Sequence, residues 1–120
     1  MNYASHPIAS YLFNDTTIAA SSKGTAAATS LVASMAVVHA SYMRVHNMSL
    51  VPIEIIFGAE RDTTAVGVFI PGMLSATASS VVPMEFPIAL DQGIAIRART
   101  VQTVAATFGS TTPLHISLWD

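Results

Sequence analysis

The chain has 120 residues and a mass of 12.6 kDa, the size of one domain. Only 10% of its residues are charged, whereas an ordinary soluble domain has roughly 25%. Five basic residues cannot neutralise many phosphates, so sequence-independent nucleic-acid binding is excluded. Because the chain has no cysteine, disulfide scaffolds, thiolate metal sites and cysteine nucleophiles are excluded as well.

The shortage of charge bears on the protein's surface. A folded domain of this mass exposes about 6,200 Å², which leaves roughly one charged residue per 500 Å². A monomer seldom exposes large apolar patches, and closed symmetric homo-oligomers are the usual way to cover them. We therefore expect the protein to associate with copies of itself in a closed oligomer.

Three stretches without any charged residue raise the question of a membrane span: 24–43, 63–84 and 100–119. A spanning helix needs about 20 mostly apolar residues. The second and third stretches contain proline and glycine, and the first is rich in serine and threonine. We expect no membrane partner, and the first residues do not have the pattern of a secretory signal.

Residues 1–30 differ from the rest of the chain, because they are rich in alanine, serine and threonine and show no sustained period. They are predicted to form an extended N-terminal arm, with one short strand near Tyr11–Phe13. A frayed terminus is the alternative. Deleting residues 1–20 is expected to leave the domain folded. The apolar side chains of this arm are candidate interface residues: Ile8, Tyr11, Leu12, Phe13 and Ile18.

From about residue 36 onward the pattern is typical of β-structure. Valine and isoleucine number 21 against 7 leucines, and β-branched residues favour strands. Apolar and polar residues alternate in six segments: 37–47, 51–58, 65–72, 81–90, 93–100 and 112–120. The tetrad 47–50 is predicted to be a hairpin connection, and two prolines on one face make 81–90 an edge strand or a bent segment.

A helix over 26–43 is the competing local interpretation, because Leu31, Met35, Val38 and Tyr42 fall at helical spacing. That segment has neither an acidic first turn nor a glycine stop, and its end is better read as a strand. Short strands with turns every 8–12 residues predict an all-β fold. We expect an antiparallel β-sandwich of jelly-roll or immunoglobulin-like type, with six to eight strands, over residues 31–120.

Residues that could carry catalysis or bind a metal show no diagnostic spacing. His39 and His46 are seven residues apart, which predicts opposite faces of one strand. Glu54 and Glu85 could form a glycosidase dyad across a sheet, but arginine-paired carboxylates are the favoured interpretation, with Arg97 and Arg99 as natural partners. No nucleotide-binding or hydrolase motif is present. The sequence therefore predicts a non-enzymatic protein with no catalytic residue, no metal site and no cofactor.

The single tryptophan is Trp119, next to the last residue. By alternation its side chain lies opposite those of Leu114, Ile116 and Leu118. A subunit contact or packing role is the favoured interpretation, which makes Trp119 a candidate interface residue. Stacking against a sugar ring is the alternative, as in lectin-like sandwiches.

Two segments resemble small β-sandwich virion proteins of tailed bacteriophages. In residues 86–99, FPIALDQGIAIRAR, an apolar strand, a turn with glycine and a strand ending in Ile-Arg follow one another. Residues 42–55 resemble the first hairpin of the same proteins, and the resemblance covers about 37–57 and 81–120.

This resemblance implies a capsid cement or decoration protein, a class that often forms trimers and uses terminal arms to grip its neighbours. The implied partners are copies of the chain, in a homotrimer, and the major capsid protein or another virion protein. The implied location is the virion, assembled in the host cytoplasm. A carbohydrate-binding or adhesin module, such as a tail or fibre component, is the second hypothesis.

Overall fold

A computed structural model describes residues 6–20, 28–58, 67–73, 83–100 and 103–120. These residues form ten β-strands and no α-helix. The strands are β1 (Ala9–Phe13), β2 (Thr16–Ile18), β3 (Thr29–Val32), β4 (His39–Asn47), β5 (Ile53–Phe57), β6 (Val68–Ile70), β7 (Met84–Asp91), β8 (Ile96–Thr100), β9 (Ala106–Phe108) and β10 (Leu114–Trp119). The described part of the chain thus contains no helix that could cross a membrane.

The strands form two four-stranded sheets and one small two-stranded sheet. The first sheet has the order β1-β10-β4-β7, the second β3-β8-β5-β6, and β2 pairs with β9. Every pairing is antiparallel. The predicted all-β sandwich is confirmed, and β3 and β4 occupy the segment for which a helix was the alternative.

The core lies between the two large sheets and is closed at one side by the small sheet. The first sheet contributes Ile116 and Met43, and the second contributes Ile55 and Ile96, all fully buried. Phe108 of β9 completes the cluster. Within each strand, every second side chain points into the core. The β-branched residues that favour strand formation therefore also fill the core.

Residues 9–18 differ from the expected N-terminal arm. β1 pairs along its whole length with the last strand, from Ala9 opposite Leu118 to Phe13 opposite Leu114. Ile18 of β2 is fully buried in the core. This part of the chain is therefore built into the domain that was expected to begin at residue 31, and residues 1–5 and 21–27 lie outside the described residues.

The segment after β4 is a corner between the two sheets, so the prediction of a hairpin connection at 47–50 was wrong. The buried Asn47 side chain accepts a hydrogen bond from the Ser49 backbone N–H at 3.0 Å and donates to the Val51 carbonyl at 3.0 Å. These bonds satisfy the Ser49 N–H and the Val51 carbonyl, which lie between the first sheet and the second and have no strand partner there.

Prolines and charges define the edge strand β7. The structure places β7 at the end of the first sheet, paired only with β4 among the described residues. Pro87 lies opposite Tyr42 in that pairing. Proline has no N–H to donate to a further strand, so the prediction of an edge strand at 81–90 is confirmed.

Candidate functional site

The first sheet turns one set of side chains away from the core, and we call this surface the outer face. Along β10, Leu114, Ile116 and Leu118 are buried, while the alternate residues His115 and Trp119 are half-buried. The register carries this alternation to the neighbouring strands. The outer face comprises Ser10, Leu12, His39, Ser41, Tyr42, Arg44, His46, Glu85, Pro87, Asp91, His115, Ser117 and Trp119.

Three side chains of the outer face, those of Trp119, Arg44 and Glu85, contact one another in a row that we call the stack. The guanidinium carbon of Arg44 lies 5.6 Å from the centroid of the Trp119 ring. The Arg44 Nε donates a hydrogen bond to Glu85 Oε1 at 2.6 Å. The carboxylate and the ring together restrain the guanidinium, which forms a cation–π contact on one side and an ion pair on the other.

An apolar row borders this stack. Tyr42 lies directly opposite Trp119 on one neighbouring strand and opposite Pro87 on the other. None of these three side chains belongs to the core cluster or to the residues packed against it. Tryptophan, tyrosine and arginine are the residue types most enriched at the energetic centres of protein interfaces. The outer face thus has the composition of a contact surface.

The histidines of β4 lie on the same side of the sheet, so the prediction of opposite faces was wrong. The pairing of β4 with β7 is irregular between Ala40 and Tyr42, where two residues of β7 lie opposite one residue of β4. In β4 the consecutive residues Ser41 and Tyr42 are both half-buried between the buried Ala40 and Met43, so the alternation reverses and both His39 and His46 turn away from the core. Three of the four histidines in the sequence therefore lie on the outer face, since His115 is the third.

His46 and His115 are directly opposite each other across β4 and β10. His115 Nε2 forms a hydrogen bond with Ser10 Oγ at 2.7 Å. His46 Nε2 is buried and has no hydrogen-bond partner among the described residues. Within the described ranges, no group of three or more histidine and acidic residues is close enough to hold a metal ion.

A chain of hydrogen bonds runs along one end of the outer face. Ser41 Oγ lies 3.2 Å from His39 Nε2, and His39 Nδ1 lies 3.2 Å from Asp91 Oδ1. This order of groups is that of a hydrolase triad. However, the side chains of His39 and Asp91 are 48% and 79% exposed. Transition-state stabilisation needs a site from which water is excluded, so we interpret this chain as part of a solvated surface.

The two acidic residues considered for a dyad lie in different sheets. Glu54 is on β5 of the second sheet, where its Oε2 accepts a hydrogen bond from Arg99 Nε at 2.8 Å. Glu85 is on β7 of the first sheet and pairs with Arg44. The dyad hypothesis is therefore wrong, the pairing of Glu54 with Arg99 is confirmed, and Arg44 takes the place expected for Arg97 or Arg99 beside Glu85.

The six candidate interface residues separate into three groups. Ile8 and Leu12 are exposed, and Trp119 is half-buried on the outer face. Tyr11 and Phe13 are turned inward and pack against the core, because β1 alternates like any other strand of the sheet. Ile18 is fully buried, which removes it from any contact surface.

Sequence reasoning identified Trp119 but not its neighbours Tyr42, Arg44 and Glu85. All three lie in segments that were predicted as strands, so the alternation signal was present. What was missing is the pairing of β4 with both β10 and β7, which joins residues about 40 and 75 positions apart. A strand's own sequence does not specify such distant partners.

The comparisons with known proteins give no match. No family model matches the chain, and neither a curated protein nor a solved structure matches it.

Proposed function

We propose that the protein is a non-enzymatic structural protein that associates with copies of itself and binds a larger protein assembly through its outer face. The observation that carries this proposal is the stack of Trp119, Arg44 and Glu85 at the centre of the outer face. The two contacts of Arg44 restrict its side chain before a partner is met, so less side-chain freedom is lost on binding.

The low charge of the whole chain supports the same proposal. With 10% charged residues, the protein has few of the groups that keep a monomer apart from its neighbours. Leu12 and Ile8 add exposed apolar area at the β1 side of the outer face. A surface with these properties is better suited to a protein partner than to solvent.

A tailed-phage capsid is the larger assembly that we propose. This part of the proposal is supported only by the sequence resemblance of residues 37–57 and 81–120 to small β-sandwich virion proteins, and β4 and β5 lie in different sheets rather than in the hairpin that residues 42–55 resemble. In such a role the protein would be a component of the virion, with the major capsid protein as its neighbour.

Carbohydrate binding is the second candidate function, and a specific observation favours it. Trp119 and Tyr42 lie opposite each other and are surrounded by hydrogen-bonding groups of Arg44 and Glu85. Aromatic rings beside polar side chains are the usual platform for a sugar ring. Against this, the Arg44 guanidinium already covers the Trp119 ring.

The variant Trp119→Ala distinguishes the two functions. We expect it to weaken co-sedimentation of the purified protein with tailed-phage capsids lacking a decoration protein by about tenfold or more, the effect of losing one interface anchor. Phe69→Ala is the matched control, because Phe69 is an exposed aromatic residue on the second sheet. We expect that control to bind like the wild type.

Binding to a glycan array that Trp119→Ala abolishes would favour the carbohydrate function instead. Equal capsid binding by wild type, Trp119→Ala and Phe69→Ala would contradict the role of the outer face. Each result is read beside a thermal unfolding curve of the same variant, so that loss of fold is not mistaken for loss of binding.

A further inference from the structure

Among the described residues, the two large sheets have four edge strands: β1 and β7 in the first, and β3 and β6 in the second. An edge strand presents unpaired backbone N–H and C=O groups that can pair with a strand of another chain. Natural proteins block this pairing with prolines, charges, bulges or very short strands. The four edges of this protein differ in whether they carry such features.

Three edges carry protective features. β7 has Pro87 in its middle and Glu85 beside it. β3 has a register irregularity between Ser30 and Val32, and β6 is only three residues long and is followed by Pro71. These features make a further strand unfavourable at each of these positions.

The strand β1 itself contains none of these features, and Ile8 separates it from the nearest proline, Pro7. Its sequence, ASYLF, has no proline, glycine or charged residue, and its pairing with β10 runs without a break over five residues. Within the described part of the chain, β10 is the only strand that pairs with β1. Leu12 is 59% exposed at this edge. Leaving a leucine side chain in contact with water is unfavourable compared with burying it.

We propose that the edge of β1 is the site of self-association, where β1 pairs antiparallel with β1 of a second copy across a two-fold axis. This inference rests on the self-association in the proposed function and assigns a surface to it. The partner is a second copy because two identical β1 strands fit each other side chain by side chain when they pair antiparallel.

The register that pairs all five residues places Tyr11 opposite its own copy. Ser10 then lies opposite Leu12 of the second copy, and Ala9 lies opposite its Phe13. Each small side chain meets a large one, and no charges are brought together. Cross-strand pairs are the main source of side-chain stabilisation in a sheet, so this register favours pairing of two identical strands.

The pairing also completes the burial of residues that the single chain covers only in part. Tyr11 and Phe13 pack against the core but remain half-buried. Their copies would lie beside them on the same side of the joined sheet. In a joined sheet both outer faces point the same way, so the two Trp119 stacks would face one assembly together. Two linked contacts bind more tightly than one.

The first test is Leu12→Lys, which places a charge on the exposed side of the edge. We expect it to raise the dissociation constant for self-association by about ten- to a hundredfold, measured by sedimentation equilibrium. Leu50→Lys is the matched control, because Leu50 is exposed to a similar extent, at 52%, and lies outside the strands. We expect this control to associate like the wild type.

A crosslinking experiment gives an independent readout and uses the absence of cysteine from the chain. Ser10→Cys and Leu12→Cys are purified separately, mixed and oxidised. The proposed register predicts a disulfide-linked dimer in the mixture and much less in either variant alone. A mixture of Ser10→Cys and Leu50→Cys is the control, and it should remain unlinked.

Other outcomes would overturn the inference in distinguishable ways. A wild-type protein that stays monomeric would contradict both this inference and the self-association in the proposed function. An oligomer that Leu12→Lys leaves intact and that gives no Ser10–Leu12 crosslink would contradict only the β1 pairing. A trimer, as the resemblance implies, would contradict the two-fold axis. Capsid binding by a monomer that Leu12→Lys abolishes would mean that the β1 side of the outer face contacts another protein and not a second copy.

Discussion

At the scale of single residues, two ion pairs of the same chemistry lie in very different surroundings. Arg99 and Glu54 pair inside the second sheet, with side chains that are 1% and 9% exposed. Arg44 and Glu85 pair on the outer face, where both side chains are half-exposed. Burial makes the loss of one partner costly, because the remaining charge is left in a medium of low polarity.

We therefore expect Glu54→Gln and Glu85→Gln to differ strongly. Glu54→Gln should lower the free energy of unfolding by about 3–5 kcal/mol, because it leaves the buried Arg99 beside a neutral amide. Glu85→Gln should lower it by about 0–1 kcal/mol, as for other exposed pairs. Urea denaturation of both variants measures the difference. Losses of equal size would contradict the assigned burial of Glu54 and Arg99.

At the scale of strands, local patterns predicted β4, β5, β7, β8 and β10 because each has a clear alternation of apolar and polar residues. β2 and β9 have three residues each, which is too short for a period to be visible. Their pairing joins residues about 90 positions apart. Such strands form because of tertiary contacts, so their own sequences contain little signal.

The candidate site shows the same division between local and distant information. The position of Trp119 opposite Leu114, Ile116 and Leu118 follows from alternation alone, and the structure confirms it. Within β4 itself no glycine or proline marks the break at Ser41 and Tyr42, so that strand's own sequence did not predict the shared face of His39 and His46. This single break in the alternation was enough to reverse the prediction.

Ile18 and Leu12 were both expected to be interface residues of an N-terminal arm, but β1 and β2 belong to the domain, so the two residues should now behave differently. Ile18→Ala should lower the free energy of unfolding by about 2–5 kcal/mol, because it removes a fully buried side chain from the core. Leu12→Ala should change it by less than about 0.5 kcal/mol, because Leu12 is exposed.

Thermal unfolding of the two alanine variants provides the measurement. A small effect of Ile18→Ala would restore the interpretation of this segment as an arm that docks elsewhere. For the same reason we now expect deletion of residues 1–20 to destabilise the domain, since it removes β1 and β2 together with Ile18.

At the scale of the whole molecule, the shortage of charge and the outer face point to the same conclusion. The few charged side chains of the outer face are largely engaged: Arg44 pairs with Glu85, and Asp91 forms a hydrogen bond with His39. What remains for a partner is aromatic and apolar surface around Trp119, together with the exposed edge at β1. A protein with these properties gains stability by assembling, and its central property should be association.

Sedimentation equilibrium of the wild-type protein over a range of concentrations tests this central claim most directly. The account predicts that the apparent mass rises above the 12.6 kDa of one chain and reaches that of a closed oligomer at tens of micromolar. A closed oligomer would then stop growing, whereas non-specific aggregation would not. A single species of 12.6 kDa at every concentration, in the absence of any partner, would contradict the account.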